Sequence, residues 1–115
     1  MAKAQKLLLL LVCCQNRSRN LTAECLFHGC RGYAVKSAGT AQEARTPVTT
    51  YHIRWADQIF VMEEVQARLL KERFAELLGA KPVICLGIPD VYCCMDPALI
   101  DELKTTLRQY VNPPA

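Results

Sequence analysis

Apolar residues fall along this chain in short uninterrupted runs that alternate with longer stretches of three-and-four spacing, the pattern of strands and helices taken in turn. Leu7 to Cys13 is a continuous apolar run with no period, which marks a strand buried on both faces of a parallel sheet and predicts the central one. After a polar turn from Cys14 to Arg19, Asn20 is placed to cap a helix whose apolar positions Leu21, Leu26 and Phe27 precede a stop at Gly29. Tyr33 to Ala38 reads as a second strand and Gly39 to Arg45 as a loop. Thr46 and Pro47 then predict a helix start, with Val48, Tyr51, His52 and Trp55 at helical spacing, before a third strand at Gln58 to Met62. From Glu63 onward Val65, Leu69, Leu70, Phe74, Leu77 and Leu78 recur three or four apart with charges between them and Gly79 beyond, so an amphipathic helix is expected. Pro82 to Leu86 is a fourth short strand and Gly87 to Met95 a loop. Asp96 and Pro97 open a last helix carrying Leu99, Ile100, Leu103 and Leu107, and Asn112 to Ala115 reads as a frayed tail. Strand alternating with helix throughout predicts an α/β fold, a four-stranded parallel sheet covered on both faces and joined by right-handed crossovers.

Length and composition agree with one domain over residues 1–115. The chain has 115 residues, 51% of them hydrophobic and 22% charged, which excludes disordered, collagen-like and tandem-repeat readings. Folding at this size buries roughly 65% of the unfolded surface, so a core forms without covalent staples. The formal charge of +3 helps an anionic ligand approach but is too small to argue for nucleic acid.

The seven cysteines fall as adjacent Cys13 and Cys14, then Cys25, Cys30 and Cys85, then adjacent Cys93 and Cys94, with no C-x-x-C. Zinc and disulfide frameworks both fit this spacing badly. Vicinal cysteines do not easily bridge each other, so free thiols in a reducing, cytoplasmic setting are expected. Lys3 and Lys6 before Leu7 to Val12 have the outline of an export signal, but the apolar run is short and Val12 is bulky where a cleavage site wants a small residue. No segment approaches the ~20 apolar residues of a membrane span, so no membrane partner is expected.

In parallel α/β sheets ligands bind beyond the carboxyl ends of the strands, and the first strand ends at Cys13. The segment Cys13-Cys14-Gln15-Asn16-Arg17-Ser18-Arg19-Asn20 places a cysteine at that end and an arginine six residues on, at a helix start. Consecutive amides of a loop running into a helix N-terminus converge on one anion, and the helix dipole favours its charge. Arg19 adds a bidentate grip on phosphoryl oxygens. The same positive field favours a thiolate at Cys13, the form that attacks phosphorus.

Val12 to Glu24 resembles the phosphate-binding loop of the low-molecular-weight protein tyrosine phosphatases, V-C-x-x-N-x-x-R-S-P-x-A-E, with Val12, Cys13, Asn16, Arg19, Ala23 and Glu24 in register. Ser37-Ala38-Gly39-Thr40 is similar to the family's S-A-G-T, and Ala56 to Met62 to its A-D-x-I-x-x-M third strand. The resemblance implies a three-layer sandwich of flavodoxin-like topology and a metal-independent phosphatase, without cofactor, acting on phosphotyrosine in a protein or on a small aryl phosphate. It implies Cys13 as nucleophile, Arg19 with Cys14, Gln15, Asn16, Arg17, Ser18 and Asn20 around the phosphate or another oxyanion, and Asn16 shaping the loop, with Ser37 as a partner. The family's D-P-Y acid has two candidates. Asp90 keeps the tyrosine at Tyr92 but has Val91 for proline, and Asp96 keeps Pro97 but has Ala98 for tyrosine. Asp90 is preferred, because Asp96 with Pro97 is explained as a helix cap and first helical residue.

Departures are concentrated at the same loop. Asn20 stands for the family's serine, Leu21 for its proline and Gln15 for a common glycine, and the chain is shorter than typical members, which implies a less walled cleft. Two other classes stay open. Arsenate reductases on this scaffold resolve through a cysteine ending the third strand, where Met62 stands here. A non-catalytic phosphate-binding or phosphocysteine module is the other, although phosphocysteine carriers lack an arginine at the Arg19 spacing. The side chains of Cys14, Cys25, Cys30 and Cys85 are expected to be packing, Cys93 and Cys94 open to oxidation, His52, Tyr51 and Trp55 core, His28 exposed, and Tyr92 beside the substrate. Arg17 reads equally as an anion ligand or a solvated cation.

Overall fold

The computed structural model describes residues 7–14, 18–27, 32–89 and 95–110, with residues 18–21 described through their backbone alone. Eight elements alternate along them: β1 Leu7–Cys13, α1 Ser18–Phe27, β2 Tyr33–Gly39, α2 Thr50–Trp55, β3 Gln58–Val61, α3 Glu64–Leu78, β4 Val83–Cys85 and α4 Pro97–Leu107. The strands form one parallel sheet in the order β2-β1-β3-β4. The run Leu7–Cys13 is thus an interior strand, as its unbroken hydrophobicity predicts, and the topology is doubly wound.

Side chains of a strand alternate between faces, and β1 divides its residues accordingly. Leu9, Leu11 and Cys13 join Phe60 and Met62 under Ala23 and Phe27 of α1 and Leu99, Leu103 and Leu107 of α4. Leu10 and Val12 join Ala38, Ile59 and Val61 under Ile53 of α2 and Ala67, Leu70 and Leu78 of α3. Each fully buried leucine contributes about 1.5–3 kcal/mol relative to exposure, so β1 is held by burial on both faces.

Asp57, just before β3, pins the start of β1: its carboxylate accepts from the Leu8 amide at 2.9 Å and its amide donates to the Leu8 carbonyl at 2.7 Å. α3 is bounded by Glu63 as N-cap and by Gly79 at φ 51°, a left-handed conformation glycine adopts without strain, and it kinks at Phe74.

Two helix starts differ from expectation. α1 begins at Ser18, so Asn20 lies in its first turn and is not its cap; both residue types favour helix starts and spacing does not rank them. Pro47 is not the first residue of α2. Its segment is held in a short parallel bridge, Gly39 donating to Thr46 and Val48 to Gly39 at 2.8 Å each, and the helix starts at Thr50 after Thr49 as N-cap. The tail 112–115 and residues His28, Cys30, Tyr92, Cys93 and Cys94 lie outside the described residues. Among the described residues no helix is long and apolar enough to cross a membrane.

Candidate active site

The chain leaves β1 for β2 on one side and later returns to β3 on the other, which opens a crevice at the carboxyl end of β1, the place where doubly wound sheets bind ligands. Cys13 is the last residue of that strand, 3% exposed and facing the layer of α1 and α4. Its neighbour Cys14 is exposed, against the packing role expected for it, because the strand ends there and no sheet layer covers the next side chain.

α1 starts four residues beyond Cys14, on the same edge of the sheet. The first four amides of a helix have no intrahelical acceptor, and its dipole makes that end positive. The first turn of α1 holds no acidic side chain to neutralise it. Ser18, Arg19 and Asn20 are the first three residues of that turn, so the backbone puts three of the expected phosphate ligands at an anion-attracting helix end. Gln15, Asn16 and Arg17 lie outside the described residues.

The family-like motifs meet around Cys13. The Thr40 amide donates to the Cys13 carbonyl and the Ala41 amide to the Cys14 carbonyl, each at 2.9 Å, while the Met62 amide donates to the Val12 carbonyl at 3.0 Å. The Ser37 hydroxyl, on the same face of β2, donates to the Glu24 carboxylate of α1 at 2.5 Å, which ties the helix to the strand beside β1. Arg73 of α3 reaches across to donate to the Thr40 carbonyl at 2.7 Å. Nothing in its spacing marks Arg73 in the sequence, since it sits on the charged face of an amphipathic helix.

Asp90 lies outside the described residues, but both flanks of its segment are in place. On the entry side Leu86 donates to Val61 at 2.8 Å and buried Ile88 donates to Met62 at 2.9 Å, at the carboxyl edge of β3. On the exit side the Met95 amide donates to the Thr22 hydroxyl of α1 at 2.9 Å. The segment therefore starts beside the end of β3 and finishes on α1, the two elements adjoining β1. Asp96 caps α4, its carboxylate accepting from the Ala98 amide at 2.9 Å with Pro97 as first helical residue, the role expected of it.

The remaining thiols and rings are elsewhere. Cys25 is exposed rather than packed, on the outer side of α1. Cys85 is partly buried at the end of β4, where burial, then Glu64 and Glu63, hold its thiol above the ordinary value. His52 is buried and its Nδ1 accepts from the Thr49 amide at 3.0 Å; burial first and Lys36 second hold it below the ordinary histidine range. Tyr51 is 56% exposed, not core as expected, because it lies on the outer side of the short α2. A cavity of about 380 Å³ lined by Thr50, Tyr51, Arg54 and Trp55 opens there, with the Lys36 ammonium 5.5 and 5.3 Å from the Tyr51 and Trp55 ring centres. No described residue of the Cys13 loop lines it. Among the described residues no three His, Cys, Asp or Glu side chains converge where a metal ion could sit.

The sequence matches no protein-family model and no curated protein. Its structure is similar to solved structures over nearly its whole length. With the YwlE arginine phosphatase of Geobacillus stearothermophilus it shares 24% identity over 90% of this chain and 89% of that one, at a TM-score of 0.69. With the tyrosine phosphatase Wzb of Escherichia coli K30 in complex with phosphate it shares 20% identity over 92% of this chain and 96% of that one, at 0.72. A YwlE mutant with a phosphorylated active-site serine is similar at 21% identity over 90% and 92%, at 0.68. This chain has the fold of these arginine and tyrosine phosphatases.

Proposed function

We propose that the protein is a metal-independent phosphatase akin to the low-molecular-weight protein tyrosine phosphatases, hydrolysing phosphotyrosine or a similar aryl phosphomonoester through a phosphocysteine intermediate in a reducing, cytoplasmic setting. The observation that carries this reading is the placement of Cys13 at the carboxyl end of β1, at the point where strand order reverses and just ahead of the unneutralised N-terminus of α1.

The Cys13 thiolate attacks phosphorus in line, so that an S–P bond forms as the P–O bond to the aryl group breaks, and the Asp90 carboxyl gives its proton to the leaving oxygen. Water then attacks the phosphocysteine, Asp90 takes a proton from it, and the S–P bond breaks to release phosphate and restore the thiolate. Arg19 and the amides from Cys14 to Asn20 hold the phosphoryl oxygens throughout, which supplies the charge stabilisation a metal provides in other phosphatases. Arsenate reduction is disfavoured by Met62, a buried methionine where a resolving cysteine is needed.

Hydrolysis of para-nitrophenyl phosphate at mildly acidic pH, with chelator and reductant present, tests the reading. Wild-type turnover that vanishes in Cys13→Ser, and falls about 100-fold in Asp90→Asn, is expected. Absent turnover with phosphate binding that depends on Arg19 sinks catalysis and leaves a phosphate-binding module. Phosphotyrosine and phosphoarginine peptides compared at equal concentration then assign the substrate, with the aryl ester expected to be preferred.

A further inference from the structure

We propose that the groove between the outer face of α2 and the edge strand β2 docks an acidic segment of a partner protein, whose carboxylates are held by Arg54 and Lys36. The groove is the cavity of about 380 Å³ lined by Thr50, Tyr51, Arg54 and Trp55. These are two pairs four residues apart, so they form a single stripe of the helix. Lys36 reaches the same stripe from β2, its ammonium 5.5 and 5.3 Å from the centres of the Tyr51 and Trp55 rings.

Charge sets the class of ligand. Two cations stand at the groove and no acidic side chain lines it. Among the described residues neither the Arg54 guanidinium nor the Lys36 ammonium has a carboxylate partner. The ring faces meet part of the demand at Lys36, while Arg54 is exposed. A carboxylate brought to this pair gains charge-assisted hydrogen bonds and displaces no ion pair.

Shape selects a peptide. Tyr51 is 56% exposed and Arg54 lies beside it on the open side, so the groove covers one side of a ligand where a small-molecule site encloses most of it. β2 is the edge of the sheet, and among the described residues no strand lies outside it at Lys36; its outer side is bridged at Gly39 by Pro47. An extended chain has room there. An edge lysine discourages apolar and cationic strands, and it attracts an acidic one. A nucleic-acid strand needs a run of cations along its phosphates, which two cations in a chain of net charge +3 do not provide.

Trp55 is the chain's only tryptophan, so its emission reports the groove directly. The test is titration of the full chain, at low salt, with a short peptide of glutamates flanking one phenylalanine. A saturable change in Trp55 emission is expected, with affinity about tenfold weaker in Arg54→Met and in Lys36→Met and falling as salt is added. Arg54→Lys, which keeps the charge, is expected to recover part of the loss. No response up to about 1 mM peptide, an equal response to the same peptide with lysines for glutamates, or unchanged affinity in Arg54→Met overturns the proposal. Inorganic phosphate binding as tightly as the peptide, or oligothymidylate binding more tightly, also overturns it, since the groove is then a simple anion site or a nucleic-acid one. None of these readouts requires turnover at Cys13, so the proposal stands or falls apart from the phosphatase reading.

Discussion

The amide of Thr40 donates to the carbonyl of Cys13 at 2.9 Å. That bond continues the β1–β2 ladder one residue past the strands and fixes the backbone of Cys13, the proposed nucleophile. Arg73 extends it by holding the Thr40 carbonyl at 2.7 Å from across the α2/α3 layer.

Arg73→Met keeps the apolar stem and removes the donor. Because Arg73 is exposed, the expected stability loss by denaturant titration is small, about 1 kcal/mol. The expected loss in kcat/KM is about threefold or more, from a nucleophile held less firmly. Unchanged kcat/KM with full stability shows that the ladder holds Cys13 without help.

Ser37 and Glu24 bind strand β2 to helix α1 through a charge-assisted hydrogen bond. Ser37→Ala is expected to cost about 1–3 kcal/mol, and Glu24→Gln less, since an amide oxygen still accepts from the hydroxyl. Urea unfolding of the two variants checks the order, and a larger loss in Glu24→Gln contradicts it.

Asp57 acts at the opposite end of the sheet from Cys13, where it accepts from Leu8. Asp57→Ala is expected to cost about 1 kcal/mol of stability. Its kcat per folded molecule should match wild type, because β1 is still held along its length by both neighbours. Activity loss beyond the folded fraction would show that the two ends of β1 are coupled.

His52 is held below 6.5, chiefly by burial, and its Nδ1 accepts from Thr49 only when unprotonated. The stability it contributes is therefore complete above pH 6.5 and is lost as the pH falls through the folded value. The gap in melting temperature between wild type and His52→Gln should narrow, or change sign, between pH 7 and pH 5. A gap that widens on acidification contradicts the assignment.

What the sequence makes legible follows from which forces are local. The unbroken run Leu7–Cys13 and the spacing of Leu70 and Leu78 report burial directly, so β1 and α3 stand where hydrophobicity places them. Helix starts at Ser18 and Thr50 depend on competition among several capping residues and on the Gly39–Pro47 bridge, a tertiary contact with no local signature. The exposure of Cys14, Cys25 and Tyr51 likewise depends on where layers end rather than on residue type. At the site, the place of Cys13 and the capping role of Asp96 were readable from strand-end and capping rules. The tie from Arg73 to Thr40 was not, since it is one hydrogen bond to a residue 33 positions away.

Covalent phosphate on Cys13 is the central claim, and acid quench during turnover of para-nitrophenyl phosphate, followed by mass analysis of peptides kept below neutral pH, tests it most directly. The account expects one phosphoryl group on the peptide carrying Cys13, absent in Cys13→Ser and accumulating when hydrolysis of the intermediate is slowed by Asp90→Asn. Turnover with no phosphorylated cysteine, or with the label on another residue, would contradict it.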